Sequence, residues 1–170
     1  PRLHEVTMSL AGEMLALGRL APSPAAGRAR AEAALADGRA AEVFGRMVSA
    51  LGGPDDFLEH GGRYLSHAAV VKPCNAQRSG HVVGMNAREV GIAVVALGGG
   101  RTHADDAIDR SVGLADVIDV GAPIRAGSPL CMVHAASDAA AERAIAILRT
   151  AIRIGDEAPK QRPAIMDRIA

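Results

Sequence analysis

The chain has 170 residues, and its 19 basic and 19 acidic side chains give a formal net charge of zero. Hydrophobic residues make up 49% of it, which is enough for a buried core and excludes a disordered composition. Aromatic residues make up only 2%, so the core must be aliphatic and few rings are available to stack on single-stranded nucleic acid. Since no basic tract is present either, we expect no nucleic-acid partner.

No apolar run approaches the roughly 18 residues that span a bilayer, and the N-terminal residues lack a signal-peptide pattern. We therefore expect no membrane partner and a cytoplasmic location. Cys74 and Cys131 lie far apart in the sequence, which gives no disulfide framework and favours a reducing compartment. Cys131 lies in an apolar segment, where a buried, unreactive thiol is expected.

The first third of the chain has the spacing of amphipathic helices. Apolar residues recur every three or four positions between residues 3 and 20. Ser23 and Pro24 form an N-cap and first-turn pair for a second helix, which ends near residue 38. A third helix ends at the glycine pair 52–53, and Pro54 opens a short fourth helix. We interpret the apolar stripes as faces that pack inside a fold, not as binding sites.

From about residue 66 the sequence changes to short strands and turns. Asn86 caps a helix that ends at the glycines 98–100, and a last helix runs from about Ser137 to Ile154. The proline-containing tail is expected to be irregular or a short edge strand. The chain thus predicts a mixed fold, α/β (α+β), with N-terminal helices followed by a strand–helix–strand module. The predicted strands are residues 68–71, 81–85, 117–120 and 130–134.

Motifs for catalysis are scarce in this sequence. The six histidines form no metal-ligand pair such as H-x-x-x-H, and the cysteines form no C-x-x-C, so no metal site is expected. The sequence also lacks the G-x-S-x-G elbow of serine acyl transferases. We therefore assign no catalytic, cofactor-binding or metal-binding residue.

Four consecutive residues are candidates for an anion site: Gly98, Gly99, Gly100 and Arg101. Glycines allow a close backbone approach, and the guanidinium could clamp an anion. The alternative is a sharp chain reversal with Arg101 paired to a nearby carboxylate. Phosphate loops place their glycines before a helix, whereas these glycines follow one, so the direction favours the reversal. The carboxylates within reach are Asp105, Asp106 and Asp109.

Residues 119–130 resemble the turn of biotinyl and lipoyl carrier domains, which are flattened barrels with a modified lysine at a hairpin tip. The sequence has two lysines. Lys72 precedes Pro73 at the end of a predicted strand, and Lys160 lies in the tail, so neither matches a carrier lysine. The resemblance therefore implies a related barrel-like β fold without the carrier function.

Several separate segments resemble the pyrimidine nucleoside phosphorylases. Residues 91–101 (GIAVVALGGGR), 106–109 (DAID) and 111–114 (SVGL) resemble the C-terminal domain of these enzymes. The helical stretch that precedes this domain in the bacterial thymidine phosphorylases resembles residues 1–3, 6–8, 13–15, 38–47 and 54–57. The resemblance covers nearly the whole chain in the same order.

The resemblance implies that residues 1–65 are a helical segment from the end of a large α/β domain. Residues 66–170 would be the C-terminal domain, an α/β-hammerhead fold. The implied reaction converts thymidine and phosphate to thymine and 2-deoxy-α-D-ribose 1-phosphate in a cytoplasmic homodimer. It needs no cofactor, since phosphate is itself a substrate, and the enzyme's partners are a pyrimidine nucleoside and phosphate.

The family's phosphate-binding cluster, catalytic histidine and base-reading residues precede the matched region, so none can be assigned within residues 1–170. We therefore expect this chain to be the C-terminal portion of an enzyme. This portion alone is expected to be inactive, and to self-associate or to need its N-terminal half. Two alternatives stay open at this point. One is a non-catalytic binding or carrier module with a barrel-sandwich-like fold, and the other is a subunit of a split phosphorylase.

Overall fold

The computed structural model describes residues 2–160 and 163–169. These residues form two compact units. One unit comprises the chain up to Tyr64 together with residues 163–169, and the other begins at Leu65 and is described to residue 160. Residues 163–169, which the sequence analysis included in the C-terminal domain, thus belong to the first unit.

The first unit is helical. Ser23 caps the second helix as predicted, because its Oγ accepts a hydrogen bond from the amide of Ala26. The tail is irregular and is attached by an ion pair between Arg168 and Glu13. The helices are α1 (Arg2–Leu17), α2 (Pro24–Ala36), α3 (Arg39–Ala50) and α4 (Phe57–Tyr64).

The contact between α1 and α2 organises this unit. A Cβ atom added at Gly27 would lie 2.5 Å from the carbonyl oxygen of Gly12, so the two backbones meet without side chains between them. Arg28 binds both carboxylate oxygens of Glu5, at 2.7 and 2.8 Å, and also Glu32 at 2.8 Å. Close packing and a two-pronged ion pair therefore fix these two helices.

The second unit contains six strands and two helices among its described residues. Asn86 caps α5 as predicted, since its side chain accepts hydrogen bonds from the amides of Arg88 and Glu89. A π-helical turn, Val95–Gly99, follows α5 directly. The strands are β1 (Val70–Asn75), β2 (Gly80–Met85), β3 (Gly113–Ala115), β4 (Pro123–Ile124), β5 (Pro129–Ala135) and β6 (Ile152–Gly155). The helices are α5 (Ala87–Val94) and α6 (Asp138–Ala151).

The six strands form two separate antiparallel sheets, in the orders β1-β5-β3 and β4-β2-β6. Both sheets and both helices contribute to one aliphatic core. The turn resemblance implied a barrel-like β fold, whereas the described strands form two small sheets. The mixed α/β class predicted from the sequence is confirmed. Fully buried side chains at its centre are Val82, Val133, Leu148, Cys74 and Cys131.

The strand predicted at residues 117–120 was wrong. The strand lies earlier, at Gly113–Ala115, and ends at Asp116, whose φ of 51° is incompatible with a continuing strand. Residues 117–120 then cross from one sheet to the other. The amide of Ile118 donates a hydrogen bond to the carbonyl oxygen of Leu130 at 2.8 Å. The amide of Gly121 donates one to the carbonyl oxygen of Val82, also at 2.8 Å.

Two further boundaries differ from the prediction. The first strand does not stop before Pro73 but runs through it to Asn75. This is possible because β1 is an edge strand, where a missing amide hydrogen can face away from the sheet. The last helix ends at Ala151, and residues 152–155 leave it to pair with β2, since Ile152 and Ile154 suit a strand.

Candidate functional site

The glycine segment forms a tight reversal at the end of α5. Gly98 has a φ of 95°, and its carbonyl accepts the amide of Asp109 at 2.9 Å. A Cβ atom on Gly99 would lie 3.0 Å from a methyl group of Val94. On Gly100 it would lie 2.7 Å from a methyl group of Val95. The three glycines therefore allow the chain to fold back onto the preceding helical turn.

Arg101 turns back into the loop that follows the glycines. Its Nε donates to the main-chain carbonyl of Asp106 at 3.1 Å. The Asp106 carboxylate accepts the amides of Thr102 and His103, at 2.9 and 2.8 Å, and the Thr102 hydroxyl at 2.6 Å. These hydrogen bonds, led by the one from the Thr102 side chain, lower the pKa of Asp106 below its usual range.

The loop thus contains an anion-binding arrangement that its own carboxylate occupies. Adjacent amides such as those of Thr102 and His103 can bind a phosphate or carboxylate oxygen. Here Asp106 fills that position, and Arg101 closes the loop through a carbonyl instead of pointing at a ligand. The structure brings the four candidates Gly98, Gly99, Gly100 and Arg101 together as a chain reversal. Binding of an external anion by them stays a prediction.

A second candidate is a groove of about 430 Å³ beside β6, which the sequence analysis did not identify. Three arginines line it, while Val83, Leu130, Ile152 and Ile154 give it an apolar lining. Asn75 and Gln77 add two amide groups. Its residues come from β1, β2, β5, α6, β6 and the turn after β1, so their spacing in the sequence gave no motif. The arginines are Arg78, Arg149 and Arg153, of which Arg78 pairs with Asp156.

The lysine environments bear on the carrier alternative. Lys72 lies within β1, and its ammonium binds Asp138 at 2.7 Å and Glu142 at 3.1 Å, both on α6. Hydrogen bonds from its ammonium to these carboxylates raise the pKa of Lys72. It is therefore a structural cation that ties β1 to α6 and not an exposed lysine at a hairpin tip. Lys160 is exposed in an irregular segment.

Two classes of feature are not found in residues 2–160 and 163–169. No group of three or more His, Cys, Asp or Glu side chains in this part of the chain is placed to hold a metal ion. None of the helices described there combines the length and the apolar composition needed to cross a membrane.

The family model of the pyrimidine nucleoside phosphorylase C-terminal domain matches residues 81–155. The matched stretch extends from β2 to β6 and includes α5, the glycine reversal, the loop held by Asp106, and α6. The three segments that resembled this C-terminal domain in the sequence, residues 91–101, 106–109 and 111–114, all lie inside it. Residues 81–155 are therefore similar to the C-terminal domain of the pyrimidine nucleoside phosphorylases.

Proposed function

We propose that this chain is the C-terminal portion of a thymidine phosphorylase. The parent reaction is the reversible conversion of thymidine and phosphate to thymine and 2-deoxy-α-D-ribose 1-phosphate. The match of residues 81–155 to the C-terminal domain of pyrimidine nucleoside phosphorylases carries this proposal. The choice of thymidine rests on the likeness of residues 1–65 to the helical stretch of the thymidine phosphorylases.

Within that enzyme, we assign the chain a supporting role. Phosphorolysis needs a preformed set of donors for phosphate and for the charge on the departing base. The one nest of main-chain amides described above is filled by Asp106, and Arg101 is bonded within the same loop. We therefore propose that the chain alone is inactive, and that it buttresses the large domain and borders the cleft where other residues hold the substrates.

The direct test is an ultraviolet assay for thymine release from thymidine and phosphate. The purified 170-residue chain should give no more product than a buffer blank, while an intact thymidine phosphorylase serves as the positive control. Adding the segment that carries the phosphate-binding residues, as a second polypeptide, should produce activity that neither piece has alone. Turnover by the chain alone would contradict the proposed inactivity.

One observation favours the reading that the chain docks on a separate N-terminal half. Four side chains on α1 are largely exposed, although all are apolar and recur along the helix at intervals of three, four and seven residues. Replacing Leu10 and Leu17 by glutamate should abolish the activity restored by the second polypeptide if α1 is the docking face. Unchanged activity would place docking elsewhere. The four are Leu3, Leu10, Met14 and Leu17, with 79%, 58%, 71% and 82% exposure.

A further inference from the structure

Cys74 and Cys131 face each other across the pairing of β1 with β5. The two residues are direct Cα partners in this antiparallel register, and their side chains are hydrogen-bonded. Directly opposed residues of an antiparallel pair have Cα atoms about 4.5–5.5 Å apart. Disulfides span Cα separations of about 4.4–6.8 Å, so the backbone already has the spacing that a bridge requires.

Burial restricts each thiol to the other as a partner. Both cysteines are free, with 0% of Cys74 and 1% of Cys131 exposed. A second protein molecule cannot reach either sulfur without unfolding of this unit, whereas the opposing thiol is already in contact. Oxidation in the folded state therefore leads to an internal bridge, not to a dimer.

The two thiols differ in their electrostatic surroundings. The hydrogen bond from Cys131 lowers the pKa of Cys74, and the positive charge of Arg149 lowers it further, while burial opposes both. The same contact and burial raise the pKa of Cys131. Because the thiolate is the nucleophile in thiol oxidation, Cys74 is the sulfur that reacts first, and Cys131 remains a thiol until the second step.

The arginine-lined groove lies beside this pair. Its lining includes Asn75 and Leu130, the chain neighbours of the two cysteines, together with Arg149. The strand register shifts between Cys74 and Asn75, and β1 lies at the edge of its sheet. A local irregularity on an edge strand is where a sheet opens with least disruption. Local opening of β1 at this point would admit a small oxidant from the groove to Cys74.

We propose that Cys74 and Cys131 form a thiol–disulfide site that hydrogen peroxide oxidises to a cross-strand bridge. The Cys74 thiolate attacks one peroxide oxygen, which breaks the O–O bond, gives a sulfenic acid and releases hydroxide. The Cys131 sulfur then attacks the Cys74 sulfur, which forms the S–S bond and breaks the S–O bond of the sulfenic acid, and the hydroxyl group leaves with the Cys131 proton as water. In sum, two thiols and one hydrogen peroxide give one disulfide and two waters, and a dithiol reductant reverses the change.

This site is independent of the phosphorolysis proposed above. The bridge would tie the edge strand β1 covalently to the central strand β5 of its sheet and would close the chain between them. Such a closure restricts the unfolded chain and so stabilises the fold. The domain would then be more resistant to unfolding under oxidising conditions than under reducing ones.

The test exposes the folded chain to hydrogen peroxide and maps its cysteines by mass spectrometry without reduction. We expect a Cys74–Cys131 peptide that has lost two hydrogens, a chain that remains monomeric by non-reducing electrophoresis, and a higher melting temperature that a dithiol reductant reverses. Absence of the bridged peptide, or conversion of both thiols to sulfinic acids without it, would overturn the proposal.

Two single substitutions test the order of the steps. In Cys131→Ala the sulfenic acid on Cys74 has no partner, so it should accumulate and be trapped by a dimedone probe. In Cys74→Ala the remaining thiol should be labelled less, because the positive charge of Arg149 favours the thiolate of Cys74 and not that of Cys131. Circular dichroism verifies that both variants are folded. Equal labelling of the two would contradict the assignment of Cys74 as the reacting sulfur.

Discussion

Gly12 and Gly27 lie where the backbones of α1 and α2 touch. A Cβ atom on Gly12 would stand 2.6 Å from the carbonyl oxygen of Pro24, and one on Gly27 would stand 2.5 Å from that of Gly12. Both obstacles are main-chain atoms, which cannot rotate away as a side chain can. The helix-breaking tendency of glycine is tolerated here because nothing larger fits between the helices.

The substitution Gly27→Ala should therefore destabilise the helical unit in spite of the better helix propensity of alanine. Separating the helices enough to admit the methyl group costs about 1–3 kcal/mol of unfolding free energy. Urea unfolding followed by circular dichroism measures this change.

Gly61→Ala is the matched control, because its Cβ would lie 3.7 Å from the Phe57 ring, an ordinary contact. We expect it to change the unfolding free energy by less than about 1 kcal/mol. If Gly27→Ala were as stable as this control, the close approach of α1 and α2 would be wrong.

Residue-level prediction from the sequence succeeded where the signal is local. Ser23 and Asn86 were predicted as helix caps, and the last helix was predicted to begin at about Ser137. Each of the three accepts a hydrogen bond from an amide two or three residues later. The cysteine pair was missed because proximity of Cys74 and Cys131 depends on the register of β1 against β5. Sequence separation contains no information about that register.

At the scale of elements, the errors have one physical cause. A short apolar run has the same sequence pattern whether it forms a strand, ends a helix or crosses between sheets. Within residues 117–120, Ile118 packs against the core while the chain changes sheets, and none of the four residues belongs to a strand. Ile152 was included in the last predicted helix and is buried, yet it belongs to β6.

The helix α6 is the element on which the core of the second unit depends. Six of its residues are buried, and Leu148 is 1% exposed and among the largest buried side chains. Leu148→Ala should therefore destabilise this unit by about 2–5 kcal/mol through lost burial and the cavity that remains. Since Cys74 and Cys131 are buried in the same unit, their reaction with a thiol reagent at increasing urea concentration measures its unfolding.

Ile92→Ala is the control for this measurement. Ile92 lies on α5 in the same unit but is 41% exposed, so its truncation should cost less than about 1 kcal/mol. A similar loss of stability in both variants would mean that α6 does not carry the core.

At the scale of the whole molecule, the two units differ in how much they bury. The second unit has a continuous cluster of buried aliphatic and cysteine side chains from two sheets and two helices. In the first unit, α3 and α4 have no buried residue, and α1 buries only Met8 and Gly12. Apolar burial is the main source of folding stability, so the units should differ widely in stability.

Amide hydrogen exchange should resolve this difference. Amides in β5 and α6 should exchange only when the second unit unfolds as a whole, whereas those of α3 and α4 should exchange through local opening, at least about a thousandfold faster. Adding the N-terminal polypeptide of the proposed enzyme should slow exchange in α1, because its exposed apolar stripe would then be covered. Equal protection of α3 and α6 in the isolated chain would instead mean one cooperative structure. The helical unit would then be stable without any partner, and the exposed leucines of α1 would no longer argue for a docking face.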